Sequence, residues 1–119
     1  MLKIPKGWKE LHHEVELGVV IGKEGKFIEE ENAMDHVMGY LLALDMTGRE
    51  MQNILKKNQH PWLLAKGFDT SCPISDFIPK EKVKDVQNLN LHLTVNGVTK
   101  QNGNLITILL LIELISSKN

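Results

Sequence analysis

The chain has 119 residues, 42% hydrophobic and 24% charged, with a formal net charge of −1. That length supports one small domain with a modest core, while near-neutral charge, no basic block and only 5% aromatic residues exclude nucleic acid as the main partner. The single cysteine, Cys72, excludes an intramolecular disulfide framework and fits a reducing compartment.

Residues 1–10 mix lysines with Pro5, Gly7 and Trp8 and read as a connector. The first seven are short and basic, without the apolar stretch of a secretory signal. Residues 14–21 combine polar and β-branched residues and run into Val-Val-Ile before Gly22, the pattern of a strand entering a core. A strand repeats every two residues, so Glu14 and Glu16 share a face, close enough to hold one cation. Two readings stand at this point: a divalent ion between the glutamates, or an edge strand with both in water. His12 shares their face and is expected in a supporting or packing role, whereas His13 points away. Residues 22–26, with Gly22 and Gly25 among charges, predict a reversal. Glu29, Glu30 and Glu31 read as a solvated helix start, with Asn32 as a possible cap.

Residues 34–44 predict a short helical piece to Val37 and then a buried strand through Leu44. The apolar run stops abruptly at Asp45-Met46-Thr47, which puts Asp45 at the end of a buried segment and makes Thr47 a candidate N-cap. The helix that follows carries Met51, Ile54 and Leu55 on its apolar side, with Lys56 and Lys57 in its last turn and a stop at Asn58 and Pro61. Two glutamates and an aspartate make an oxygen-rich site that suits Mg²⁺, Mn²⁺ or Ca²⁺ better than zinc. Lys66 lies between apolar residues, and taken alone it reads as an ordinary surface lysine. Cys72 precedes Pro73 in a turn-like stretch, where a packed or half-buried thiol is expected rather than a nucleophile. Asn96-Gly97 predicts a tight hairpin between residues 92–95 and 98–101, with Leu89, Leu91 and Leu93 alternating onto one apolar face. Residues 105–115 are apolar, but too short to span a bilayer and interrupted by Thr107 and Glu113, so no membrane partner is expected. The run 109–115 is an aggregation hazard unless it packs or pairs.

These residues form an ordered series: His12-His13-Glu14-Val15-Glu16-Leu17-Gly18; Asp35 with Gly39-Tyr40; Asp45-Met46-Thr47 with Arg49 and Gln52; Trp62 with Ala65-Lys66, Phe68-Asp69 and Cys72-Pro73; and Val95-Asn96-Gly97 with Gln101. The series resembles the fumarylacetoacetate hydrolase family, in particular its acylpyruvase and oxaloacetate-handling branch. The resemblance implies an α+β fold, mainly β, forming part of a mixed β-sandwich roll with short helices. Residues 1–119 then form one partial catalytic domain: connector 1–10, family-like core 11–101 and divergent tail 102–119. It implies Mg²⁺ or Mn²⁺ held by Glu14, Glu16 and Asp45, a catalytic Lys66, and substrate contacts from Arg49, Gln52 and Lys66. The implied substrate is a small 2-oxo acid. Its acylpyruvate would be hydrolysed, or its oxaloacetate decarboxylated or tautomerised, with the charge of the developing enolate on an oxygen held by the ion. A homodimer and a mitochondrial or cytoplasmic location are implied as well. The family pattern also includes a histidine–glutamate pair upstream and a Gly-Thr-Pro segment downstream, neither found here, so the chain reads as the central part of a family member. The alternative is an inactive fragment that retains a metal-binding face or pairs with a full-length relative. Gly48 stands where the family usually has alanine and is expected to weaken the helix start slightly.

Overall fold

The computed structural model describes residues 2–105. In chain order the elements are β1 (Leu11–His12), β2 (Val15–Ile21), α1 (Glu30–Ala33), β3 (Val37–Leu44), β4 (Thr47–Gly48), α2 (Arg49–Lys57), α3 (Leu63–Lys66), β5 (Ile78–Pro79), β6 (Asn90–Val95) and β7 (Val98–Asn104). The chain separates into two compact units, with the division falling inside β2 and β3.

The first unit comprises residues 2–16 and 42–75. Strand β1 pairs antiparallel with β4, Leu11 opposite Gly48 and His12 opposite Thr47. Residues 42–46 are held by residues 71–75: Leu44 and Met46 donate their N–H groups to Pro73 O and Ser71 O, and Ala43 bridges Ile74 in antiparallel sense. Met46, Thr47, Gln52, Leu55 and Ala65 are buried and form the base of the unit. Burying Met46 and Leu55 contributes about 1.5–3 kcal/mol each.

The second unit comprises residues 17–41 and 76–105. Its sheet has the order β2-β3-β5, with Gly39 opposite Pro79 and Tyr40 opposite Ile78. The β6–β7 hairpin turns at Asn96 (φ 51°) and Gly97 (φ 79°), two successive left-handed residues that Asn-Gly accommodates. Leu91 and Leu93 lie half-buried between exposed Asn90, His92 and Thr94, as the alternation predicts. A cavity of about 340 Å³ in this unit is lined by Tyr40, Met34, Lys80 and Val83 among others, and holds none of the candidate site residues.

Several local expectations are corrected. Thr47 does not cap α2. It is paired with His12, its hydroxyl donates to Asp45 O, and Gly48 occupies the cap position without a side-chain bond. Asn32 lies inside α1, whose cap is Glu29. Strand β3 is buried only at Gly39 and Tyr40, while Met38 and Leu42 are 50% and 44% exposed. On α2 the buried positions are Gln52 and Leu55, and Ile54 is 54% exposed, because the helix turns its Arg49–Gln52 side inward. Neither Gly22 nor Gly25 takes a left-handed conformation; Phe27 does, at φ 52°. Cys72 is exposed rather than packed. Among the described residues no helix is long and apolar enough to cross a membrane, and the run 109–115 lies outside them.

Candidate metal and substrate site

The site lies entirely in the first unit. Glu14 immediately precedes β2 and Glu16 is its second residue. Asp45 follows β3, its N–H donating to Glu14 O at 2.8 Å, while its neighbours Leu44 and Met46 are tied to Pro73 and Ser71. Backbone bonds on both sides thus fix Asp45 beside Glu14. One carboxylate oxygen from each of Glu14, Glu16 and Asp45 lies within 4.8 Å of the other two.

Among the described residues two cations face this cluster. The short helix α3, absent from the sequence reading, brings Lys66 to it: Nζ donates to Glu14 Oε2 at 2.9 Å and to Asp45 Oδ2 at 2.5 Å. Lys66 is therefore no solvated surface lysine; about a quarter of its side chain is exposed. Arg49 opens α2 and donates from Nη2 to Glu14 Oε1 at 2.5 Å and from Nη1 to Gln52 Oε1. The i, i+3 spacing puts Arg49 and Gln52 side by side on the helix, and Gln52 is buried against the base of the unit.

These contacts divide the carboxylates. Burial raises the Glu14 pKa, but hydrogen bonds and charge from Lys66 and Arg49 outweigh it and hold the group below the ordinary glutamate value of 4.5. Burial likewise favours neutral Lys66, and Asp45 and Glu14 outweigh it, so the ammonium is held above its ordinary value. Glu16 is pushed up, by burial first and then by the negative charges of Asp45 and Glu14, with Lys66 only partly compensating. Three carboxylates face two cations, and Glu16 is the one left under-compensated.

That is a fit for a divalent ion. Hard cations bind oxygen at about 2.0–2.6 Å, which puts ligand oxygens on one ion no more than about 5 Å apart, and the three residues meet that limit. Glu14, Glu16 and Asp45 would hold the ion, with Lys66 and Arg49 at its side.

His12 takes the supporting place expected of it, and Glu10 beside it was missed by sequence reasoning. His12 Nδ1 accepts from Arg49 Nε at 3.2 Å, and His12 Nε2 meets Glu10 Oε1 at 2.9 Å. Glu10 carried no signal, because its place depends on the pairing of two strands of two residues each. Trp8 stacks edge-on to Phe68, ring centres 4.9 Å apart, and fills the space a side chain at Gly48 would need.

The fumarylacetoacetate (FAA) hydrolase C-terminal family model matches residues 1–116. The chain belongs to the fumarylacetoacetate hydrolase family. It is 54% identical over 103 residues to a mitochondrial oxaloacetate decarboxylase of Dictyostelium discoideum, covering 87% of this chain and 47% of that protein. It is 52% identical over 100 residues to a mitochondrial oxaloacetate tautomerase of Homo sapiens, covering 84% of this chain and 45% of that one. The chain thus spans slightly under half the length of these curated relatives. Among solved structures, the fumarylpyruvate hydrolase from Pseudomonas aeruginosa in complex with Mn²⁺ and pyruvate superposes with a TM-score of 0.84 at 32% identity, covering 95% of this chain and 50% of that one. The α+β, mainly β architecture with antiparallel sheets and short helices is the fold of this family.

Proposed function

We propose that the chain carries the core of a divalent-metal-dependent site for 2-oxo acids, acting by oxaloacetate decarboxylation or keto-enol tautomerisation, or by acylpyruvate hydrolysis. The observation that carries this reading is the convergence of Glu14, Glu16 and Asp45 with Lys66 planted among them. The names of the decarboxylase and tautomerase relatives, and the Mn²⁺ and pyruvate in the fumarylpyruvate hydrolase, support it.

Bound by the three carboxylates, Mg²⁺ or Mn²⁺ supplies Lewis acidity toward the adjacent oxygens of a 2-oxo acid. In the metal-free chain Asp45 and Glu14 hold Lys66 as an ammonium, and we keep that charge on it when the site is loaded. Lys66, whose Nζ already donates to two oxygens of the cluster, is read as a positive hydrogen-bond donor to a substrate oxygen that gains charge. Arg49, braced by Gln52, offers its remaining N–H groups to the substrate carboxylate. We place the chain in the mitochondrion or cytoplasm, the mitochondrial relatives supporting the former, and read it as a homodimer by family resemblance.

The test is loss of oxaloacetate and of acetylpyruvate, followed by absorbance with Mn²⁺, in the parent chain and in Asp45→Ala. Metal-dependent turnover that disappears in Asp45→Ala supports an active site. Metal binding by folded protein with no turnover above the metal-only background leaves a metal-binding chain without the activity.

A further inference from the structure

We infer that His12, itself held by Glu10, is a positioning residue that fixes the Arg49 guanidinium for one orientation of the substrate carboxylate. The inference rests on the reading of Arg49 as a substrate contact, and deepens it.

The Arg49 guanidinium has three nitrogens, and each has its own acceptor: His12 Nδ1 on Nε, Glu14 Oε1 on Nη2 and Gln52 Oε1 on Nη1. A planar fork anchored in three directions cannot swing about its stem. Accepting at Nδ1 requires the neutral imidazole to carry its proton on Nε2, and that N–H is the one facing Glu10 Oε1 at 2.9 Å. Glu10 thereby selects the tautomer that Arg49 needs. The backbone supports the same arrangement independently. Pairing of β1 with β4 sets His12 opposite Thr47, and Arg49 N donates to Glu10 O at 3.1 Å, so the ladder that ends at Glu10 brings His12 to Arg49 and Glu10 to His12.

The consequence is selectivity. A guanidinium meets a carboxylate either through Nε with one terminal nitrogen or through the two terminal nitrogens together. His12 closes the first edge. One N–H remains on each terminal nitrogen, and a carboxylate is received there alone.

The test combines NMR of the Arg49 Nε–H with pyruvate binding to the Mn²⁺-loaded chain, using His12→Phe and His12→Asn. The asparagine Oδ1 sits near the position of Nδ1 and can accept in its place. The Arg49 Nε–H signal is expected to be protected in the parent, lost to exchange in His12→Phe and recovered in His12→Asn. Losing the preorganisation of the Arg49 side chain is expected to weaken pyruvate binding about 2–10-fold in His12→Phe. Mn²⁺ affinity is measured alongside, because His12 and Glu14 share Arg49 as a partner and any change there is to be separated from the change in pyruvate binding. His12→Phe should add nothing in an Arg49→Ala background. An unchanged Arg49 Nε–H in His12→Phe, no rescue by His12→Asn, or an equal loss in the Arg49→Ala background overturns the inference. If the parent binds no pyruvate but the Nε–H signal behaves as expected, His12 stands as the residue fixing Arg49, and the substrate reading falls instead.

Discussion

Replacing Lys66 by methionine keeps most of the stem and removes the ammonium from between two carboxylates. Nζ lies 2.9 Å from Glu14 Oε2 and 2.5 Å from Asp45 Oδ2. At an effective dielectric of about 20, each pair is worth about 6 kcal/mol before desolvation is counted. The partners are roughly a quarter to a third exposed, so the net contribution of the two bonds is closer to about 1–3 kcal/mol in total. The metal-free Lys66→Met chain should be destabilised by that amount. Its metal binding should move the other way, because the ammonium and a divalent ion share the same oxygens and repel one another. Removing the ammonium should tighten Mn²⁺ binding by about 10–100-fold, or about 1.4–2.7 kcal/mol, and should abolish any turnover. Calorimetric titration with Mn²⁺ at low salt, with thermal denaturation with and without the ion, measures both effects. Mn²⁺ binding that is unchanged or weaker in Lys66→Met would refute the idea that lysine and metal compete.

Other predictions concern neighbouring residues. Glu16 holds its proton more tightly in the folded chain than its ordinary 4.5, so ionised Glu16 opposes folding once the pH rises past that value. Glu16→Gln should therefore raise metal-free stability above pH 4.5, by only a few tenths of a kcal/mol for so exposed a group, and should weaken Mn²⁺ binding; denaturation curves against pH check the first and calorimetry the second. Glu14 acts oppositely, contributing stability above pH 4.5 that is lost as the pH falls through its lowered value, so the Glu16→Gln chain should keep its acid limb. Gly48→Ala puts a methyl group into the Trp8 indole and should cost about 1–3 kcal/mol by overpacking. Combined with Trp8→Ala it should cost less than the sum of the two single changes, as urea unfolding would show. Gly97→Ala forces a side chain into φ 79° and should destabilise by about 1 kcal/mol on thermal melting.

The parts of the fold that were legible in the sequence are those with a short-range cause. Asn96-Gly97 dictates its own turn, and the Leu91–Leu93 alternation follows from the strand period. Helix α2 announced itself by pattern and charge, although which side it buries depended on Arg49 reaching a glutamate 35 residues away. The proximity of Glu14 and Glu16 is likewise a matter of period. That Asp45 joins them depends on backbone bonds to Glu14, Ser71 and Pro73, which no local pattern encodes. Lys66 was undecidable from its neighbours, because its partners lie 21 and 52 residues away in sequence. Thr47 looked like a cap and was claimed instead by a two-residue bridge to His12. The same bridge hid Glu10 and the His12–Arg49 bond.

The most direct measurement is a Mn²⁺ titration of the purified, folded chain by calorimetry, alongside Glu16→Ala and Asp45→Ala. One ion should bind the parent, and each substitution should weaken it by about 100-fold, since each removes a charged ligand rather than a supporting contact. Binding of equal strength in Asp45→Ala, or no heat from the folded parent, would contradict a metal site at Glu14, Glu16 and Asp45.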